Sequence, residues 1–199
     1  LFNKSINNIK SLNFFKDVSA QIIDLDDNQK DINIDIQEKP TGEIALGAGA
    51  GTSGATVAFG IKENNFLGRG IGLDTSLTLT EKTIRGKFSV LNPNFKNTDR
   101  DLRLSIQAIE TDRSSAFGYK SNKLGFSTGT SFEYLEDLNL GIDIENFYEK
   151  ISTDTTASDL QKTQEGNYWD TFLNLDFDLD KRNQKYDTND GYRAVTLTH

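Results

Sequence analysis

GEIALGAGAGTSGATVAFGIKENNFLGRG, residues 42–70, decides how the rest of the chain is read. It divides into two strands joined by a small-residue turn at Thr52–Ser53. The first, Gly42 to Gly51, carries almost no bulk: Gly42, Gly47, Gly49 and Gly51 interleave with Ala45, Ala48 and Ala50. The second, Ala55 to Glu63, alternates cleanly. Ala55, Val57, Phe59 and Ile61 fall on one face, and Gly54, Thr56, Ala58, Gly60 and Lys62 on the other. Glycine weakens a strand interior and marks a bend or a close backbone approach. The stretch therefore poses two questions: what this hairpin begins, and why its first strand is so weak.

Working forward, the period is 2 almost throughout. Strands are predicted over 71–81, 83–91, 101–110, 124–134, 138–149 and 168–179, and YRAVTLTH (192–199) begins one more. The apolar row of 101–110 is Leu102, Leu104, Ile106 and Ala108, set against Arg103, Ser105 and Gln107. That of 168–179 is Leu173, Leu175, Phe177 and Leu179, set against Asn174, Asp176 and Asp178. With the opening hairpin this makes about eight strands and the start of a ninth. They run well beyond the roughly 5–6 residues usual in globular proteins. Tilted strands of about 9–11 residues are what a bilayer needs.

The connections alternate. Asn64–Gly70, Asn92–Arg100, Glu136–Asp137 and Lys181–Gly191 would lie at one rim. Thr52–Ser53, Glu81–Lys82, Arg113–Asn122 and Ser152–Asn167 would lie at the other, with two long unstructured stretches, SSAFGYKS and STDTTASDLQKTQEGN, on that side. Short turns on one rim and longer loops on the other fit a transmembrane barrel. Phe66, Phe95, Phe117, Tyr119, Tyr148, Tyr168 and Trp169 sit near strand ends, where interfacial aromatic girdles belong. The polar face would be a lumen of mixed sign. A soluble antiparallel sandwich with one wet face fits the same alternation; strand length and loop asymmetry favour the barrel.

Working backward, residues 1–40 mix periods. Phe2, Ile6, Ile9 and Leu12 make one helical face, and Asn13 can end that helix in a left-handed conformation. Strands follow over 14–22 and 32–39, with a turn at 25–31. Pro40-Thr41-Gly42 then breaks the pattern and marks a boundary. Some forty residues of helix–strand–strand cannot bury a good core alone, so they read as the end of a larger α/β module.

Composition narrows the functions. The chain has no Cys, no Met and one His, His199, which removes thiol nucleophiles, thiolate metal sites and His-based acid–base catalysis. The lack of Met at position 1 and the start in mid-pattern read as a fragment. A net charge of −8 opposes nucleic-acid binding. No run of about 18 apolar residues makes a membrane helix, and the mean hydropathy of −0.55 looks soluble. A barrel never produces such a run, so neither fact argues against one.

Four features resemble chemistry. Gly49-Ala50-Gly51-Thr52-Ser53-Gly54 matches G-x-G-x-x-G, but a strand follows where a dinucleotide site needs a helix. Asp24, Asp26 and Asn28 resemble the start of a calcium loop, yet Gln29 stands where Gly is needed and strands flank it. Asp176 and Asp178 share a strand face with no identifiable acid, base or metal ligand beside them; lumen polarity accounts for them. Lys181, Arg182 and Lys185 form a basic turn read as solvated. No catalytic residue, cofactor or metal is assigned, and the chain is not read as an enzyme.

SLNFFKDVSAQI followed by INIDIQEKPTGEIALGAG resembles the end of the last POTRA domain running into the barrel of the BamA family, the outer-membrane β-barrel assembly factors of Gram-negative bacteria. ENNFLGRG is similar to that family's turn after the second strand, and VLNPNF to its turn after the fourth. LDKRNQKYDTNDGYR is similar to its turn between the eighth and ninth strands, though Asn189 and Asp190 precede Gly191 where a Pro-Thr-x-Gly is usual.

The resemblance implies a mainly β chain: residues 1–40 the C-terminal part of a periplasmic POTRA domain, and 41–199 the first half of a sixteen-stranded outer-membrane barrel. It implies three kinds of partner: outer-membrane lipids, unfolded outer-membrane protein clients, and lipoproteins bound through the POTRA array. It also implies a lateral gate at the first strand. The gate residues would be Glu43, Ile44, Ala45, Leu46, Gly47, Ala48, Gly49, Ala50 and Gly51, acting through backbone, with Pro40, Thr41 and Gly42 as the hinge. Function would then be assembly and insertion of barrel proteins. The alternative is polypeptide translocation by a related TamA-like or two-partner secretion transporter. A passive porin or adhesin barrel ranks third.

Overall fold

The computed structural model describes residues 2–26, 29–51, 54–183 and 188–198. The chain divides into two compact units, Leu1–Gly42 and Glu43–His199.

In the first unit, helix α1 (Phe2–Ser11) precedes two antiparallel strands, β1 (Phe15–Asp26) and β2 (Gln29–Glu38). Asn13 takes the left-handed conformation that ends the helix, φ 59°. Its side-chain oxygen accepts a hydrogen bond of 2.6 Å from Lys39 Nζ. Both strands exceed their predicted lengths, because polar residues at a two-stranded edge still complete the ladder. The centre of the predicted turn, Asp27 and Asn28, lies outside the described residues, as does the last candidate calcium ligand. Phe2 and Ile6 of α1 lie over Val18 and Ala20 of β1, and Val18 is buried. Ile32, Ile34 and Ile36 stay exposed on the same face of the hairpin. One short amphipathic helix of ten residues covers too little of it.

The second unit is a nine-stranded antiparallel meander. It comprises β3 (Gly42–Gly51), β4 (Gly54–Phe66), β5 (Ile71–Thr80), β6 (Thr83–Asn92), β7 (Leu102–Asp112), β8 (Tyr119–Leu135), β9 (Leu138–Thr153), β10 (Gly166–Asp180) and β11 (Arg193–Thr198). Spatial order equals chain order from β3 to β11. This unit holds a single sheet among its described residues, so the sandwich alternative fails.

Its burial is inverted relative to a soluble sheet. Along β7, Leu104, Ile106 and Ala108 are exposed while Ser105 and Gln107 are half-buried. Val57, Phe59 and Ile61 of β4 are exposed, with Thr56, Ala58 and Gly60 less so. Apolar residues therefore cover the open outer face, and polar ones line the more crowded inner face. Among the described residues of this unit, only Ala157, in a connection, is a buried apolar side chain. No described helix is long and apolar enough to cross a membrane; the strands provide the apolar band instead.

The rims need correction. The two stretches expected to be unstructured each hold a short helix, α2 (Ser114–Phe117) and α3 (Asp159–Thr163). Strands β8, β9 and β10 extend into the rest, so the connections shrink to 113–118 and 154–165. The opposite rim carries comparable ones at 93–101 and 181–192. Loop asymmetry, which favoured the barrel in sequence, is thus largely absent, and the inverted burial replaces it as the reason. A left-handed Gly118 (φ 72°) closes α2, and a reciprocal Ser158–Gln161 capping box opens α3. Both are local signals that short apolar periods do not reveal.

Candidate functional site: an edge strand and a polar inner wall

Strand β3 is the terminal strand of the sheet, and every one of its residues is exposed. Ile44 and Leu46 are 73% and 79% accessible. A Cβ placed on Gly60 of β4 would lie 3.8 Å from the Ala45 Cβ, and one placed on Gly47 would lie 3.9 Å from the Ala58 Cβ. Ala45 and Gly47 therefore share the inner face with Ala58 and Gly60. Alternation then puts Gly49 and Gly51 inward and Ile44, Leu46, Ala48 and Ala50 outward. The weakness of this strand is one-sided: the outer row keeps apolar bulk near its start, and the inner row has almost none. Space above Gly49 and Gly51 is open. The turn at Thr52–Ser53 lies outside the described residues. From Gly54 the chain continues as β4, so the G-x-G-x-x-G match has no helix to offer a phosphate.

The inner wall is built by register. Arg103 (β7), Gly129 (β8) and Asp143 (β9) stand opposite one another in a row. Lacking a side chain, Gly129 lets Arg103 lie flat and reach Asp143. Nε donates to Oδ1 (3.1 Å) and Nη2 to Oδ2 (2.7 Å). Arg103 Nη1 also donates to Asp101 Oδ2, 2.8 Å. Asp101 in turn accepts from the Ser131 hydroxyl, 2.6 Å. Asp176 of β10 stacks over Gly141, where a Cβ would approach it to 3.0 Å. Ser105 and Ser127 share a 2.6 Å hydrogen bond, and Lys123 lies 4.5 Å from the Phe147 ring centre.

Asp176 and Asp178 both face inward, as predicted, and the structure supplies the partner that sequence did not. Arg193 of β11 pairs Asp178 at two points, 2.8 and 2.7 Å. They act as structural acids. Arg182, expected in a solvated basic turn, is instead held by Asp180 at 2.7 Å; Lys185 lies outside the described residues. In the same hairpin Gly191 (φ 91°) has no room for a Cβ, which would overlap the Lys181 carbonyl. The glycine thus persists although the usual proline is missing.

Both signs occur along this wall, with Asp74 facing Lys62 and with Arg103, Lys123 and Arg193 paired among the acids. Strands β9 and β10 present Asp143, Glu145, Glu149, Asp176 and Asp178, whereas β4 and β6 present Lys62, Arg85 and Lys87. Of the aromatic residues near strand ends, Tyr148 and Trp169 pair on the outer face with ring centres 6.4 Å apart. Tyr119 and Tyr168 turn inward, Tyr168 donating to the Gln164 carbonyl at 2.8 Å.

A long-stranded antiparallel meander, apolar outside and polar within, defines the class: a segment of an outer-membrane-type β-barrel. Residues 65–198 match the Omp85 superfamily domain, and the chain belongs to that superfamily. Among solved structures, it is similar to BamA from Haemophilus ducreyi lacking POTRA domains 1–3. The TM-score is 0.69 at 20% identity, covering 98% of this chain and 41% of that one. It is also similar to CdiB from Acinetobacter baumannii, with a TM-score of 0.54 at 14% identity, covering 85% and 35%. The chain thus spans about two fifths of the length of that BamA chain. Family and fold together point to the bacterial outer membrane.

Proposed function

We propose that this chain belongs to a protein that assembles and inserts β-barrel clients into the bacterial outer membrane, with β3 as its lateral gate. Glu43 to Gly51 would offer unpaired N–H and C=O groups to a client strand by β-augmentation. An exposed edge is ordinarily a hazard; here it is the working surface, and no covalent chemistry is needed. The observation that carries this reading is the make-up of β3: it is the first strand of the meander, and Ala45, Gly47, Gly49 and Gly51 leave most of its inner side without bulk. Pro40, Thr41 and Gly42 serve as the hinge. Residues 1–40 are the end of a POTRA domain in the periplasm, through which lipoprotein partners and unfolded clients are received.

The test uses the full-length protein, with single cysteines along β3 and along the terminal strand of a stalled client. Disulfides should form in one antiparallel register, at alternate positions. Gly47→Val and Gly49→Val start without a clash: a Cβ on Gly47 would meet Ala58 at an ordinary contact distance of 3.9 Å, and the space above Gly49 is open. They should stiffen the strand and slow client insertion several-fold. Normal insertion by both variants, with no disulfides, would remove the gate assignment. A client that crosses the membrane instead of remaining in it would favour the second reading, polypeptide translocation.

A further inference from the structure

We propose that the inner wall over β4–β6, beside the edge strand, binds an extended polypeptide segment rich in carboxylates. Lys62, Arg85 and Lys87 all point to this wall and are exposed. The cations on the opposite part of the wall are engaged: Arg103 with Asp101 and Asp143, Lys123 with Glu149, Arg193 with Asp178. Among the described residues, Lys62, Arg85 and Lys87 make no ion pair. Asp74 stands directly across from Lys62 without closing one. Lys62 stands between Glu43 of β3 and Asp74 of β5, so Arg85 and Lys87 are the two cations of this wall left without a facing acid.

Their geometry selects the ligand. Arg85 and Lys87 are two residues apart on one strand, hence roughly 6.6 Å apart along it. Carboxylates at i and i+2 of an extended chain repeat at the same distance. Across from them on β5 stand only Thr78 and Ser76, and beyond these Ala58 and Gly60 on β4. These short side chains leave room for a backbone to lie close. A single phosphate would need donors converging on one point, whereas Arg85 and Lys87 are spaced along one strand and Lys62 lies two strands away. A nucleic acid would meet the acidic β9–β10 wall and a chain of net charge −8. That acidic wall repels the same segment and so confines it to the β4–β6 side. The site does not depend on strand pairing at β3.

The experiment uses the full-length protein in lipid nanodiscs with a photo-crosslinking residue at Thr78, or at Ser127 on β8 as control. The probes are a short peptide of alternating Glu and Thr and its Gln–Thr counterpart. We expect the Glu peptide to be captured at Thr78 several-fold more than the Gln peptide, less at higher salt, and poorly at Ser127. The double variant R85Q/K87Q should lose most of this capture, and R85K/K87R should retain it. Equal capture of the two peptides by the otherwise unmodified protein would overturn the proposal, and that comparison needs no charge variant to fold. Stronger capture at Ser127 would overturn it as well. Both results are read independently of client insertion, so they leave the gate assignment to its own test.

Discussion

Arg103 on β7 crosses the bare face of Gly129 on β8 to make a two-point ion pair with Asp143 on β9. One guanidinium therefore ties three strands. A Cβ on Gly129 would overlap the Asp143 carboxylate. Gly129→Val should expel that carboxylate and leave the Arg103 fork short of acceptors. Hydrogen bonds to charged groups contribute about 1.5–3 kcal/mol, less here because both side chains keep some solvent contact; we expect a loss of about 1–2 kcal/mol. Guanidinium unfolding from lipid vesicles reads this directly. Asp143→Asn should cost less than Gly129→Val, since the amide still accepts from Arg103.

The face assignment on β7 makes a sharper demand. Ile106 is 53% exposed on the outer face, and its neighbour Gln107 points inward. Ile106→Lys places a charge in the lipid band and should cost about 2–4 kcal/mol near the bilayer midplane. Gln107→Lys should cost little. A chain without native cysteine allows a second reading of the same alternation. In membranes, a cysteine at Gln107 should react with an impermeant maleimide and one at Ile106 should not. Equal reactivity would contradict the inside-out arrangement.

Gly118 joins the two connections at one rim. It is buried with φ 72°, and a Cβ there would overlap the backbone of Ala157. Its carbonyl accepts from the Asp154 N–H at 2.8 Å. Gly118→Ala combines a left-handed conformation with a backbone collision, neither of which a flexible side chain can relieve. We expect the connections at 113–118 and 154–165 to separate. Limited proteolysis at both, with the strands still protected, is the measurement.

Asp154 adds a pH dependence to that rim. Its carboxylate accepts from the Thr156 hydroxyl (2.5 Å) and the Thr156 N–H (2.7 Å). These two bonds, the hydroxyl first, hold its pKa below the ordinary 3.8. A depressed folded-state value means the contribution is complete above the unfolded pKa and is lost as pH falls below it. Protection of the Thr156 amide, its exchange rate relative to an unstructured amide at the same pH, should therefore fall on acidification below pH 3.8 and stay flat above it. Asp154→Asn should flatten the profile. A loss of protection beginning near neutrality would exclude this carboxylate as its source.

Much of the architecture was legible in the residues themselves. Alternation of Leu104, Ser105, Ile106 and Gln107 needs no neighbour to declare a two-faced strand. Nine such runs in order, with turn residues between them, specify a meander. The left-handed end of α1 at Asn13 and the poverty of β3 were equally local. What sequence could not decide is which polar residues meet. A period of 2 states which side chains share a face of one strand. Only register states which residues of the next strand they touch. Register showed which charges on that mixed wall meet and which, such as Arg85 and Lys87, face no acid. It found Arg193 for Asp178 and gave Gly129 and Gly141 their use as crossings for other side chains. It also set Val195 and Leu197 of β11 opposite Asp178 and Asp176, on the polar face, where hydropathy alone would not place them. The composition of β3 was written in the chain. Its pairing with β4, which turns Gly47 and Gly49 to the inner face, is a property of the folded sheet, because faces are shared only once neighbouring strands have paired.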